Sequence, residues 1–284
     1  MKKIERSRQF LQQHLALFQC PVCHQPYQEV QMQSLVCPLG HRLDLSKKGT
    51  LYFLQRQIQS EYDQAMLASR RRILQAGLFD EFLAVVQAQL PDQAVGLDVG
   101  CGEGTPLHKL ASKLRTAIGF DISKAGVNLA TQQITKAFFC VADLAHLPFN
   151  DATFDAILNI FSPSNYREFA RIMRPGARVI KVIPNADYLA ELRQALFAGG
   201  TRAVYSNDKV LQHFNVQYRQ ITTQRVRYQF AIPPENFADL VLMTPLHWQA
   251  SEEQLQQLIA QPFKKITVDV TVLVGQDPIL AEEE

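Results

Sequence analysis

The 284-residue sequence lacks any stretch approaching the roughly 18 consecutive apolar residues that a membrane-spanning helix needs, although 47% of it is hydrophobic. The start, MKKIERSRQFLQQHLALF, holds no long uncharged apolar core and no small-residue cleavage site, and so makes a poor secretion signal. Cysteine is scarce and odd in number: Cys20, Cys23, Cys37, Cys101 and Cys140. An odd count without a secretion signal argues against a disulfide framework. Charged residues make up only 20%, which excludes wholesale disorder. A soluble, cytoplasmic chain with no membrane partner is expected, long enough for one large domain and a small one.

The net charge of +2 hides an asymmetry. Residues 1–75 hold 11 Lys/Arg against 5 Asp/Glu, a net of +6, and the remainder is net −4. Such a division suggests an anionic partner at the basic end, or a solvated basic surface.

The cysteines cluster near the start as Cys20-Pro-Val-Cys23 and Cys37-Pro-Leu-Gly-His41. Two thiolates two residues apart reach one metal from a tight turn, and Cys37 with His41 does so from a second turn. Pro21, Pro38 and Gly40 favour those turns. Four ligands fill a tetrahedral zinc and leave no position for water, so the metal is expected to be structural. A module this small has little core, and the metal would supply its folding energy. The alternative is two unrelated thiol pairs. His24 reads as a surface neighbour, and Arg42, Lys47 and Lys48 as phosphate contacts or solvated charges.

The second signal spans residues 94–141. Ala94 to Gly100 reads as a short apolar strand, Cys101 to Gly104 as a glycine-rich turn and Thr105 to Leu114 as a helix. A second strand ends in Asp121, placed to accept hydrogen bonds from ribose hydroxyls. Further strands are expected at 137–141, 154–160, 178–183 (after a turn at Arg174–Gly176), 225–232 and 265–274, with a helix near 187–197. Alternating strands and helices imply an α/β, doubly wound, mostly parallel sheet. A helix at 62–72 precedes the first strand. Its Arg70 is positioned to meet a cofactor carboxylate, whereas Arg71 and Arg72 read as a solvated face.

The turn Asp98-Val-Gly-Cys-Gly-Glu-Gly104 resembles the signature of S-adenosylmethionine (SAM) dependent methyltransferases more than a dinucleotide fingerprint. That resemblance implies a Rossmann-like SAM domain with its last strand antiparallel. Gly100, Gly102, Glu103 and Gly104 would line the cofactor turn, Asp98 would help to hold the methionine amine, and Asp143 with Leu144 the adenine. The strand end from Asn159 would face the methyl group.

The chain as a whole resembles the 23S rRNA guanine-N1 methyltransferases, which carry a zinc module before a SAM domain. The resemblance rests on the Cys/His pairs followed by Leu43-Asp44 and Lys47-x-Gly49, on Met66 to Gly77, on the loop 98–104, on Asn159 to Asn165, and on Met243-Thr-Pro245 with Trp248. Thr105 and Pro106 stand where the family often has aromatic residues. The resemblance implies a zinc-binding RNA-recognition module (1–58), a SAM domain (59–284), SAM and zinc as bound groups, and a homodimer. The expected substrate is a hairpin loop of domain II of 23S rRNA, with position 748 favoured over 745 and a link to macrolide resistance. Asn159, Phe161, Ser162, Pro163 and Thr244 form the expected catalytic pocket, without a named general base. Phe161, Tyr166 and Trp248 are candidate stacking surfaces. Two other readings remain open: a SAM methyltransferase of a small molecule or protein, and a non-catalytic zinc-dependent RNA-binding protein. A basic face on the zinc module disfavours the first, and an intact SAM loop with Asp121 disfavours the second.

Overall fold

The computed structural model describes residues 2–54, 56, 62–133, 136–197 and 206–279. The expected division at 58/59 lies outside them. Strands β5 (Ala94–Val99), β6 (Leu114–Asp121), β7 (Phe138–Val141) and β8 (Phe154–Ile160) are buried along nearly their whole lengths. Near-continuous apolar runs of this kind belong to strands covered on both faces. They form a parallel array in the order β7-β6-β5-β8, extended by β9 (Met173–Pro184). Beyond it, β11 (Lys265–Pro278) runs antiparallel between β9 and the edge strand β10 (Tyr218–Ala231).

Strand order reverses at β5, which has β6 on one side and β8 on the other. A crevice therefore opens past the carboxyl ends of these strands, the usual ligand site of an open α/β sheet. Helices α2 (Gln64–Gln75), α3 (Asp80–Gln89), α4 (Thr105–Leu110) and α5 (Lys124–Ala130) precede or connect the first strands. Asp63 caps α2, its carboxylate accepting from Met66 N at 2.7 Å. Helices α6 (Tyr166–Ile172) and α7 (Ala190–Phe197) flank β9, and α8 (Asp208–Asn215), α9 (Phe237–Leu242) and α10 (Glu252–Ala260) follow.

The amino-terminal region is built on the sheet. Helix α1 (Lys3–His14) and the antiparallel meander β1 (Glu29–Gln31), β2 (Ser34–Val36) and β3 (Arg42–Asp44) lead into β4 (Leu51–Tyr52), which adds to the edge of β7 as a parallel strand. Phe10 stacks on Phe138 at 4.9 Å, and Phe18, fully buried, packs on Phe149. Leu11, Phe18, Leu35 and Phe53 thus share one apolar cluster with Phe120 and Phe138 of the sheet and with Phe149 before β8.

Several boundaries differ from the sequence reading. Helix α4 stops at Leu110, because the chain turns through 111–113 to start β6 at Leu114. The turn at Arg174–Gly176 is a bulge inside β9: pairing jumps from Phe154↔Met173 to Ala156↔Arg178, with Gly176 at φ +77°. Strands β10 and β11 are longer than expected because the edge strand β10 is half solvated, and Arg219 to Gln224 carry little apolar signal. No helix among the described residues is long and apolar enough to cross a membrane.

Candidate functional site

Two turns bring Cys20, Cys23, Cys37 and His41 together, with all four donor atoms within 4.8 Å of one another. Cys23 Sγ lies 3.6 Å from Cys37 Sγ, and His41 Nδ1 lies 3.6 Å from Cys20 Sγ and 3.4 Å from Cys37 Sγ. Tetrahedral zinc, with Zn–S of about 2.3 Å and Zn–N of about 2.0 Å, sets neighbouring donors roughly 3.5–3.8 Å apart. The donor set therefore fits zinc in kind and in spacing, through His41 Nδ1. His24 lies outside the cluster.

A cavity of about 340 Å³ lies past the carboxyl ends of β5, β6, β7 and β8. Its floor is Asp98, Gly100, Cys101 and Gly102, and its walls include Tyr62, Arg70, Asp121, Asp143, Leu144 and Phe161 to Pro163. Gly100 and Gly102 hold φ of +70° and +54°, which only glycine adopts without strain. Asp121 braces the turn: Gly102 N donates to its Oδ2 at 2.8 Å and Ser123 N to its Oδ1 at 2.7 Å.

Asp98 is the chemical anomaly of the cavity. It is 2% exposed, and its Oδ2 has no hydrogen-bond partner. Burial pushes its carboxyl up to about 7, the charges of Asp121 and Glu103 adding to the effect and Arg70 opposing it. A buried carboxylate oxygen without a donor is costly unless a ligand supplies one, and the amine of an amino-acid moiety is such a donor. The cavity thus fits SAM on its own geometry. Arg70 lies 5.5 Å over the Phe79 ring with its charge acting on both Asp98 and Asp121. Burial raises the Cys101 thiol well above its ordinary value, so it is no nucleophile.

Not every expected residue reaches the cavity. Glu103 is fully buried and turned away: Arg71 Nη2 donates to its carbonyl at 3.0 Å, and its carboxylate accepts from Arg71 Nε at 3.4 Å and from Thr105 Oγ1 at 2.6 Å. Gly104, at φ +86°, caps α4 outside the cavity. Arg71 is largely covered rather than solvated, and Arg72, though half exposed, is paired. Arg71 clamps the cofactor turn through Glu103, and Arg72 makes a two-pronged bond to Asp239 on α9. Asn159 is fully buried, its side chain inside the following loop rather than in the cavity. Thr244 is buried and apart from the cavity, its hydroxyl without a partner. Tyr166 packs among Phe169, Phe214 and Tyr218 as a core aromatic, while Trp248 is 42% exposed and meets Tyr62 edge-on. Phe161 lines the cavity at φ +54°, a conformation unusual for a bulky residue, held by packing on Phe79, Phe82 and Tyr188.

The sheet order, the glycine turn and the acidic groups around one cavity define a SAM-dependent methyltransferase, and residues 97–182 match the methyltransferase domain family. A Haemonchus contortus phospholethanolamine N-methyltransferase 2 shares the fold, with a TM-score of 0.50 at 13% identity over 78% of this chain and 59% of that one. A Bacillus subtilis protein, YxjB, provisionally described as a 23S rRNA (guanine-N(1)-)-methyltransferase, is 34% identical over 273 residues, 92% of this chain and 97% of its own length. The 23S rRNA (guanine(748)-N(1))-methyltransferase of Streptomyces fradiae is 29% identical over 90% of this chain and 95% of its own. The chain belongs to the family of 23S rRNA (guanine-N1)-methyltransferases.

Proposed function

We propose that this enzyme methylates N1 of a guanine in a hairpin loop of 23S rRNA domain II, with position 748 favoured. The observation that carries the reading is the Asp98 cavity, opening on the Phe161–Pro163 loop, in a chain similar along nearly its whole length to an enzyme named for guanine 748. Bound SAM would supply an electrophilic methyl group. Asp98 would accept its amine, Asp121 its ribose hydroxyls, Asp143 and Leu144 its adenine, and Arg70 its carboxylate. Each acidic group that lines the cavity is thereby engaged with the cofactor, which leaves the N1 proton to solvent. The protein's part is then alignment, which alone lowers the barrier of an in-line displacement substantially. A loop guanine must unstack to enter, and Phe161 offers it an aromatic face. The same reading carries a homodimer embracing the hairpin, a cytoplasmic location and an effect on macrolide response. Transfer of a labelled methyl group from SAM to a domain II hairpin tests it; labelling of no RNA fragment would sink it.

The basic charge of the amino-terminal region supports an RNA partner. Lys47 and Lys48 are exposed before β4, and Lys48 frames a depression with Lys3, Arg6 and Lys136. This face lies at the amino ends of β4 and β7. The cavity lies past the carboxyl end of β7, a distance of about 13 Å along the strand. Any phosphate held there would belong to a nucleotide other than the target guanine. Replacing Arg42, Lys47 and Lys48 together by Ala is expected to weaken RNA binding about 10-fold at low salt and to flatten the salt dependence, with SAM affinity unchanged. Filter binding across a salt series reads this. Parent-like slope and activity would remove this face from the RNA surface.

A further inference from the structure

Lys181 is a lysine in the wrong place for a solvated charge. It sits in the middle of β9, paired with Asn159 of β8 on one side and Leu273 of β11 on the other, and is 4% exposed. Its neighbours along the same face, Val179 and Ile183, are buried apolar residues. No carboxylate among the described residues makes an ion pair with it. An unpaired buried ammonium is costly, and an apolar side chain would serve the sheet better unless the donors have a task.

All three donors of the ammonium go to the end of β8 and the loop that follows it. Nζ donates to Asn159 Oδ1, to Ser164 Oγ at 2.9 Å and to the Ser162 carbonyl at 3.2 Å. Ser164 Oγ in turn donates to Asn159 Oδ1 at 2.9 Å. Asn159 Nδ2 donates to Ser162 Oγ at 2.6 Å and to the Pro163 carbonyl at 2.8 Å. The chain of bonds then reaches the cofactor turn, because Ser162 Oγ donates to the Val99 carbonyl at 2.5 Å. Ser162 also packs so tightly on Gly100 that a Cβ there would lie 2.7 Å from Ser162 Cβ. One buried cation therefore ties together the strand end, the left-handed Phe161 and the turn that floors the cavity.

We propose that Lys181 is a positioning residue of the methyl-transfer site, locking the 159–164 loop against the cofactor turn so that the target base meets the methyl group in line. The role rests on the function proposed above, and its structural half can be read without substrate. Lys181→Met keeps the length of the side chain and removes every donor. Amide hydrogen exchange over 161–166 is expected to speed at least 10-fold, with exchange elsewhere and SAM affinity close to the parent's. With an RNA hairpin, kcat is expected to fall about 30- to 100-fold while KM for RNA moves less than about 3-fold, as for a lost alignment. Lys181→Arg, which retains donors, should recover part of kcat. Ser164→Ala removes one acceptor without disturbing the sheet and covers the case in which Lys181→Met fails to fold. It should show a smaller loss of the same kind, and the double variant should be no worse than Lys181→Met. Parent-like exchange over 161–166 in Lys181→Met, or in Ser164→Ala should that alone fold, overturns the proposal, as does an unchanged kcat. Absence of RNA methylation by the parent overturns the function instead and leaves the exchange result standing.

Discussion

A Cys20→Ser/Cys23→Ser variant is expected to lose its zinc, one ion per chain, and with it the amino-terminal fold. Structural zinc contributes on the order of 10 kcal/mol or more to a small module, comparable with the whole stability of an ordinary domain. The consequence should spread beyond the module. Cys20 and Cys37 are buried in the apolar cluster that contains Phe18, Phe138 and Phe149, and β4 covers the edge of β7. Unfolding of residues 18–52 would bare that edge and strip Phe18 from the Phe138 ring. Aggregation, or a melting temperature lower by more than about 10 °C, is the expected result, and a chelator should produce it in the parent. Metal analysis decides the point, since full zinc retention by the double variant would refute the ligand assignment.

Asp98→Ala carries the other large effect. Its carboxylate is the buried group in the cavity with an unused oxygen, and removing it deprives a buried cationic amine of its partner. Losses of this kind cost about 3 kcal/mol, on the order of 100-fold in SAM affinity. Methylation should fall at least as far at limiting SAM. The parent's affinity should also depend on pH. Because the carboxyl is pushed up to about 7, it is protonated below that value and must lose its proton to hold an amine. Affinity is expected to fall as pH drops from 8 to 6, approaching 10-fold per unit at the acid end. The free fold behaves in the opposite sense. Its Asp98 retains a proton, between about pH 4 and 7, that the unfolded chain, titrating near 3.8, has already released. This group therefore stabilises the free fold below that window and ceases to do so as pH rises through about 7. Titration calorimetry at several pH values reads the binding effect, and pH-independent affinity would contradict it.

Local chemistry made part of this structure legible in the sequence. The four candidate metal ligands stand out because a metal needs particular donors at short spacings, and the structure gathers them. Strands β5 and β8 stand out because strands covered on both faces are continuous apolar runs. The antiparallel last strand came from the family resemblance. Other features depend on partners far apart in the chain. Glu103 looks like a cofactor contact beside its glycines until Arg71, 32 residues earlier, turns it away. Asn159 looks like a pocket residue until Lys181 claims its oxygen from the next strand. Lys181 itself gave no signal beyond a single charge within the apolar run Val179 to Ile183, which was the available clue. Thr244 belongs to a matching motif, yet its side chain is buried away from the cavity.

The central claim is methylation of one guanine at N1, and the most direct measurement is primer extension on a 23S rRNA domain II fragment after incubation with the protein and SAM. A methyl group at N1 blocks Watson–Crick pairing and halts reverse transcription. The expected result is a single SAM-dependent stop at a hairpin-loop guanine, at the nucleotide corresponding to position 748, absent with Asp98→Ala. Extension through the whole loop without a stop, with SAM binding intact, would contradict the assignment and leave a methyltransferase with another substrate.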